Sequence, residues 1–344
     1  MFNMGFKKEK RDKIIADIVK RVDNHPNDIV KIIIDEHNVS RQTVNNYMKN
    51  LIKENIIELD GSKRSPIYRL KEHKKSFIFD INSDTSEDKI WSQEVIPFLP
   101  ELRSNIKSIC EYGFTEMFNN VIDHSESDTA IVSIKYTAQW ISMMIIDKGI
   151  GIFNKIQEHF NLSDPKQSIL ELSKGKLTSD PDRHSGEGIF FSSRMFDEFR
   201  ILSQGLFFTS KHDSDWIMDY NGKPENTGTC VEMKISLNSN RNISEVFNQY
   251  SNDNFGFSKT IVPVKLLQYE GMELVSRSQA KRLITRFDRF EEVILNFDGI
   301  SIIGQSFADE LFRIFKNNHP NVHIQYINAN ENVEGMIKHV CNTK

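Results

Sequence analysis

Glu116, Asn120 and His124 recur at four-residue intervals in the stretch Glu116-Met-Phe-Asn-Asn-Val-Ile-Asp-His124. On a helix this spacing sets a carboxylate, an amide and an imidazole in one polar stripe. A carboxylate so placed can accept a proton. The amide oxygen beside it suits Mg²⁺, which takes oxygen ligands and keeps several waters. Phe114, Met117, Phe118, Val121 and Ile122 make an apolar face that predicts where the helix packs. Asn119 and Asp123 point roughly 100° away from the stripe on ideal helix geometry. Alone, the stripe is equally what a solvated helix face looks like.

Three further motifs follow in order. Residues 128–137 and 139–146 read as paired strands with a short polar connection, and the second ends at Asp147-Lys-Gly-Ile-Gly151. Ser185-Gly-Glu-Gly188 then opens a helix over 189–196, whose free amides can hold phosphate oxygens. Thr227-Gly-Thr229 precedes a strand over 230–235. No Walker A signature occurs, and Gly149-Ile-Gly151 lacks the third glycine of a dinucleotide fingerprint. An isolated Asp-x-Gly-x-Gly is often only a turn; the succession of four motifs is far more specific.

This order and spacing resembles the nucleotide site of the GHKL ATPase superfamily, which includes gyrase, MutL, histidine kinases and the anti-sigma-factor serine kinases. The resemblance implies ATP as ligand and Mg²⁺ as its companion ion. It implies Glu116 as catalytic base, Asn120 as the metal ligand and His124 near the phosphates. Asp147 would accept a hydrogen bond from the adenine amino group, with Gly149 and Gly151 letting the backbone approach the base. Ser185, Gly186 and Gly188 would hold phosphate, Thr229 would lie on the base-proximal phosphate side, and residues 152–184 would form a lid. Two departures stand out. His184 occupies the place where the anti-sigma kinases usually carry Arg, with Arg183 one residue early. No dimerisation helix with a phosphoacceptor His precedes the motifs, which argues against a histidine kinase.

Ahead of these motifs lies a basic segment. Residues 1–75 hold 17 Lys/Arg against 11 Asp/Glu, a net of +6, whereas the whole chain carries −4. A basic module on an acidic body suggests a polyanion partner for that module alone. Ile14, Ile15, Ile18 and Val19 mark one helix face, residues 29–34 a second helix, and Ser40 caps a third bearing Val44, Tyr47, Met48, Leu51 and Ile52. Two strand-like segments joined by Gly61-Ser-Lys-Arg-Ser65 follow. The succession looks like a winged helix-turn-helix, in which the third helix enters the major groove and the hairpin tip lies along the backbone. Arg41, Gln42, Asn45, Asn46 and Lys49 are then the base- and phosphate-contacting candidates. Lys63 and Arg64 would make salt-dependent phosphate contacts at the wing. A winged helix that binds protein is the alternative.

Residues 241–259 are rich in Asn and Ser and read as a linker. Beyond them strands and helices alternate, predicting a small α/β domain. The run from Val293 to Leu311 resembles STAS domains, specifically the STAS-like domain often fused behind GHKL domains. Matching the strand puts Gln305 at the position of the phosphorylatable Ser of anti-sigma antagonists. Ser306 is then expected to be the N-cap of its helix.

Three scattered cysteines exclude a disulfide framework or a zinc site. No apolar run reaches the roughly 20 residues of a membrane helix, and no signal-peptide core follows the charged N-terminus. A cytoplasmic location without membrane contact is expected. The fold class expected is α+β multidomain: a winged helix (1–75), a GHKL (Bergerat) α/β sandwich (76–240), the linker (241–259) and a STAS-like α/β domain (260–344). The function expected is an ATP-binding, DNA-contacting regulator, with a homodimer and a protein partner of the STAS-like domain anticipated. The alternatives are a serine protein kinase of the anti-sigma type and a stress or phage-defence ATPase.

Overall fold

The computed structural model describes residues 2–62, 64–177, 186–211, 214–219, 228–254, 256–268 and 273–342. The chain forms two units, one of Met1–Ser76, Ser133–Ser142 and Ser236–Ser239, the other of Phe77–Val132, Met143–Ile235 and Asn240–Lys344.

The first unit opens with helices α1 (Phe2–Arg21), α2 (Ile29–His37) and α3 (Arg41–Lys53). Ile14 and Ile18 lie four apart on α1, with Val22 just past its end, as do Ile29 and Ile33 on α2 and Val44 and Met48 on α3. One side of each helix therefore meets a common core, completed by Leu51, Ile57 and Leu70. Ser40 caps α3 as its position predicts, its hydroxyl accepting the Thr43 N–H at 3.1 Å. Strands β1 (Ile57–Ser62) and β2 (Ser65–Leu70) pair antiparallel, from Ile57 opposite Leu70 to Ser62 opposite Ser65. Segment 133–142 belongs to this body: Ala138 packs on its core and the Gln139 side-chain amide donates to the Val19 carbonyl.

A seven-stranded sheet runs in the order β3-β4-β5-β9-β6-β7-β8. Its members are β3 (His73–Asp80), β4 (Thr129–Tyr136), β5 (Trp140–Asp147), β6 (Glu198–Ser203), β7 (Leu206–Lys211), β8 (Ser214–Asp219) and β9 (Thr229–Ser236). β6 pairs antiparallel with β9 and β7, and β7 with β8. Along β9 every second residue is buried, the period of a strand with one covered face.

The second unit's helices ahead of residue 240 include α4 (Glu87–Ile90), α5 (Ser104–His124), α6 (Ile152–His159), α7 (Pro165–Lys174) and α8 (Gly188–Met195). The 241–259 segment is not an irregular linker. It carries α9 (Ile243–Tyr250), whose N-cap Asn242 accepts the Ser244 N–H at 2.9 Å. Val246 and Tyr250 are buried, and Phe247 lies against Tyr112 and Phe191. The Asn and Ser residues cap and turn the chain around one short apolar stripe, which is why their abundance reads as a loop.

The C-terminal part is a parallel sheet of β10 (Lys259–Pro263), β11 (Glu292–Asn296) and β12 (His323–Ile327), in that order. Its helices are α10 (Arg277–Ile284), α11 (Gln305–Asp309), α12 (Lys316–Asn318) and α13 (Glu331–Asn342), with a π-helical turn between α11 and α12. The first of these strands stops at Pro263, because proline cannot donate to a ladder, and a 3₁₀ turn follows. Ser306 is not an N-cap. Gly304 holds that place, while Gln305 and Ser306 are exposed in the first turn. No described helix is long and apolar enough to cross a membrane.

Candidate functional site

The second unit contains a cavity of about 270 Å³, near the low end of the roughly 300–1,000 Å³ usual for ligand pockets. α5 contributes Glu116, Asn120 and His124, the stripe expected from their spacing, all three partly exposed. Phe114, Met117, Phe118 and Val121, on the apolar face of the same helix, are buried and fix its rotation. Asp147 reaches the cavity from the end of β5, Gly151 from the N-cap of α6, Gly188 from the start of α8 with Gly186 just ahead of it, and Thr229 from β9. Residues from four separated stretches of sequence thus line one space.

Asp147 is the most constrained of them. Only 6% exposed, its Oδ1 accepts the Gly149 N–H at 2.9 Å and the Thr229 N–H at 3.2 Å. Burial pushes the carboxyl above its ordinary value, with hydrogen bonds from Gly149 and Thr229 working against the rise. The Thr229 hydroxyl accepts the Ile152 N–H at 3.0 Å, tying the loop after β5 to β9.

The glycines have distinct tasks. Gly149 is not among the described lining residues: a Cβ there would lie 1.8 Å from the Ser125 carbonyl oxygen, so its smallness lets the loop close onto the end of α5. Gly151 adopts φ 83°, a left-handed conformation that favours glycine, and leads directly into α6. At Gly188 a Cβ would meet Glu116 Oε2 at 2.0 Å, so the first residue of α8 lies directly against the carboxylate of α5. Tyr112 is near the same place. Its phenol is pushed well upward by burial first, then by the charges of Glu116 and Glu187. Ser185, and with it Arg183 and His184, lies outside the described residues.

The lining also includes residues that the motifs did not single out, among them three from one helix. Lys155, Ile156 and His159 enter from α6. The Lys155 ammonium donates to the His124 carbonyl at 2.7 Å and pairs with Glu126 at 3.2 Å, placing a cation beside the stripe. The signal was present in the helical spacing of Ile152, Lys155, Ile156 and His159.

In the first unit, Arg41, Gln42, Asn46 and Lys49 are exposed along α3 and Asn45 is half-buried. Arg64 is exposed at the hairpin tip, while Lys63 lies outside the described residues. A compact cluster of Asp17, Glu36 and His37 also occurs here, its ligand-type atoms within 4.8 Å of one another. Arg21 already occupies it, donating to Asp17 at 2.7 Å and to Glu36 at 2.6 Å, so it is an ion-pair network.

The second unit is accordingly a mixed α/β body with a cavity that has the buried Asp147 carboxylate on one side and the Glu116 carboxylate, against the first residue of α8, on another. Residues 279–334, from α10 into α13, match the family model of a STAS-like domain of unknown function, DUF4325. The C-terminal part is thus STAS-like, as the run from Val293 to Leu311 led us to expect. No curated protein is significantly similar to the chain.

Proposed function

We propose that this chain is a cytoplasmic ATP-binding regulator of GHKL type that contacts DNA through an N-terminal winged helix. The observation that carries the proposal is the convergence of Glu116, Asn120, His124, Asp147, Gly151, Gly186, Gly188 and Thr229 on one cavity. The residue types fit the ligand. A flat base suits apolar walls such as Ile145, Ile152 and Val231. An ionised Asp147 accepts from an exocyclic amine, and a helix start meets phosphate. Asn120 would hold Mg²⁺ through its amide oxygen, and the ion would neutralise phosphate charge. Glu116, against the first residue of α8, would take a proton from water or from a substrate hydroxyl.

Calorimetric titration of the full chain with ATP and Mg²⁺, followed by separation of labelled phosphate from phosphoprotein, tests this. Glu116→Ala should retain binding and lose turnover, a positioned base being worth roughly 10²–10⁴-fold in rate. Asn120→Ala should weaken both. Absence of any binding heat with ATP or ADP would remove the proposal.

A further inference from the structure

Arg286 joins the STAS-like part to the wall of the cavity through contacts that no site residue above uses. It follows α10 and sits in the left-handed region at φ 65°, a sparsely populated conformation for a residue with a side chain. Its guanidinium, 10% exposed, donates to Glu171 Oε2 at 3.0 Å, to the Gly175 carbonyl at 2.9 Å and to the Lys176 carbonyl. It also lies over the Phe160 ring, 5.7 Å from the centroid. Glu171, 1% exposed, is shared with the fully buried Lys174, whose ammonium lies 2.6 Å from the second carboxylate oxygen. Lys174 in turn donates to the carbonyls of Thr285 at 2.9 Å and Arg282 at 3.4 Å.

Two cations, one carboxylate and a strained backbone are an expensive way to fill space. Burial holds both Lys174 and Arg286 below their ordinary values, and the Nε of Arg286 is buried without a partner. Such groups are weak evidence for stability, since apolar residues of similar volume often serve as well or better. What they fix is position. Phe160, Leu172 and Leu177 line the cavity, and each is one of, or adjacent to, the groups this cluster grips. The Leu177 N–H continues the chain of contacts to the Gly186 carbonyl at 3.1 Å, and Gly186 lines the cavity too.

We infer that Arg286 is a positioning residue through which the STAS-like segment and the ligand in the cavity control one another. The identity of that ligand rests on the ATP proposal; the mechanical tie does not. Coupling of this kind is reciprocal, so a ligand that orders residues 171–177 must also favour one state of residues 282–290.

The experiment uses full-length Arg286→Lys and Arg286→Gln, with Arg313→Ala as control, since Arg313 forms an exposed pair with Asp309 in the same STAS-like part. Without nucleotide, amide exchange over 171–177 and 186–195 should accelerate in both Arg286 variants and stay at wild-type rates in Arg313→Ala. Unchanged exchange in the Arg286 variants overturns the tie, whether or not ATP binds. With ATP and Mg²⁺, the dissociation constant should rise about tenfold in the Arg286 variants, within the usual range of coupling. Wild-type residues 277–290 should gain protection on ATP addition, and Arg286→Lys should abolish that gain. Wild type that binds ATP with no change at 277–290 overturns the inference while leaving the ATP proposal standing, and this arm decides if the variants do not fold. Wild type that does not bind ATP removes the proposal, and the nucleotide-free exchange then decides the tie.

Discussion

Asp147 carries opposite demands on stability and binding. Its carboxyl is raised above the ordinary 3.8 by burial, only partly relieved by the N–H groups of Gly149 and Thr229. For a group whose folded value is raised, the stability it contributes is present at low pH and is lost as pH rises through the folded value. At neutral pH the ionised form therefore works against folding. Asp147→Asn keeps an Oδ1 acceptor for both N–H groups and removes the charge. We expect its thermal midpoint at neutral pH to equal or exceed that of wild type, with the difference vanishing under acid conditions. On the proposed ATP reading, affinity should nevertheless fall at least about tenfold, because the new amide would present a donor to the adenine amine. Scanning calorimetry across pH, paired with ATP titration, reads both; a midpoint that falls at neutral pH would mean the carboxylate is structural. The stripe of Glu116, Asn120 and His124 was legible because helical period alone brings i, i+4 and i+8 together. Gly149 was legible as a required glycine and not in its task, since contact with the Ser125 backbone is a tertiary fact. Lys155 was missed because a lysine on an amphipathic helix ordinarily belongs to a solvated face.

At the scale of elements, periodic segments were read well and short ones were not. α5 and the alternating strands and helices after residue 290 announce themselves by length and period. α9 spans eight residues between caps, too short for periodicity to overcome its Asn- and Ser-rich surroundings. The distinction has consequences that can be measured. Tyr250 is 3% exposed and meets Phe190 edge-on at 4.9 Å between centroids. Tyr250→Ala should therefore cost about 3–5 kcal/mol, as removal of a large buried aromatic does, read by urea denaturation of the full chain. Asn242→Ala should cost about 1 kcal/mol through loss of the cap. A flexible linker would tolerate both, so unchanged midpoints would return this segment to that description. The STAS-like helix α11 teaches the same lesson at a single position: Ser306 has the chemistry of a cap, but the loop turns two residues earlier, at Gly304.

For the whole molecule, the discontinuity of the first unit matters more than its composition. Counting Ser133–Ser142 and Ser236–Ser239 adds one lysine to Met1–Ser76 and raises the net charge of the unit to +7, 18 basic against 11 acidic residues. The remainder of the chain is then −11, so attraction to a polyanion and repulsion from it belong to different bodies. An isolated fragment of residues 1–75 would leave out Ala138, which packs on the core, and Gln139, which bonds Val19. DNA binding should accordingly be tested on the full chain. We expect binding to duplex DNA with a steep salt dependence, and Arg64→Ala should weaken it equally for all sequences while reducing the salt slope by about one. Arg41→Ala or Asn45→Ala should instead relax sequence preference, each good base contact being worth about 1–3 kcal/mol. Gel shifts against a pool of genomic fragments at low salt separate these outcomes. If wild-type full chain shifts no fragment, with or without ATP, the DNA reading is wrong.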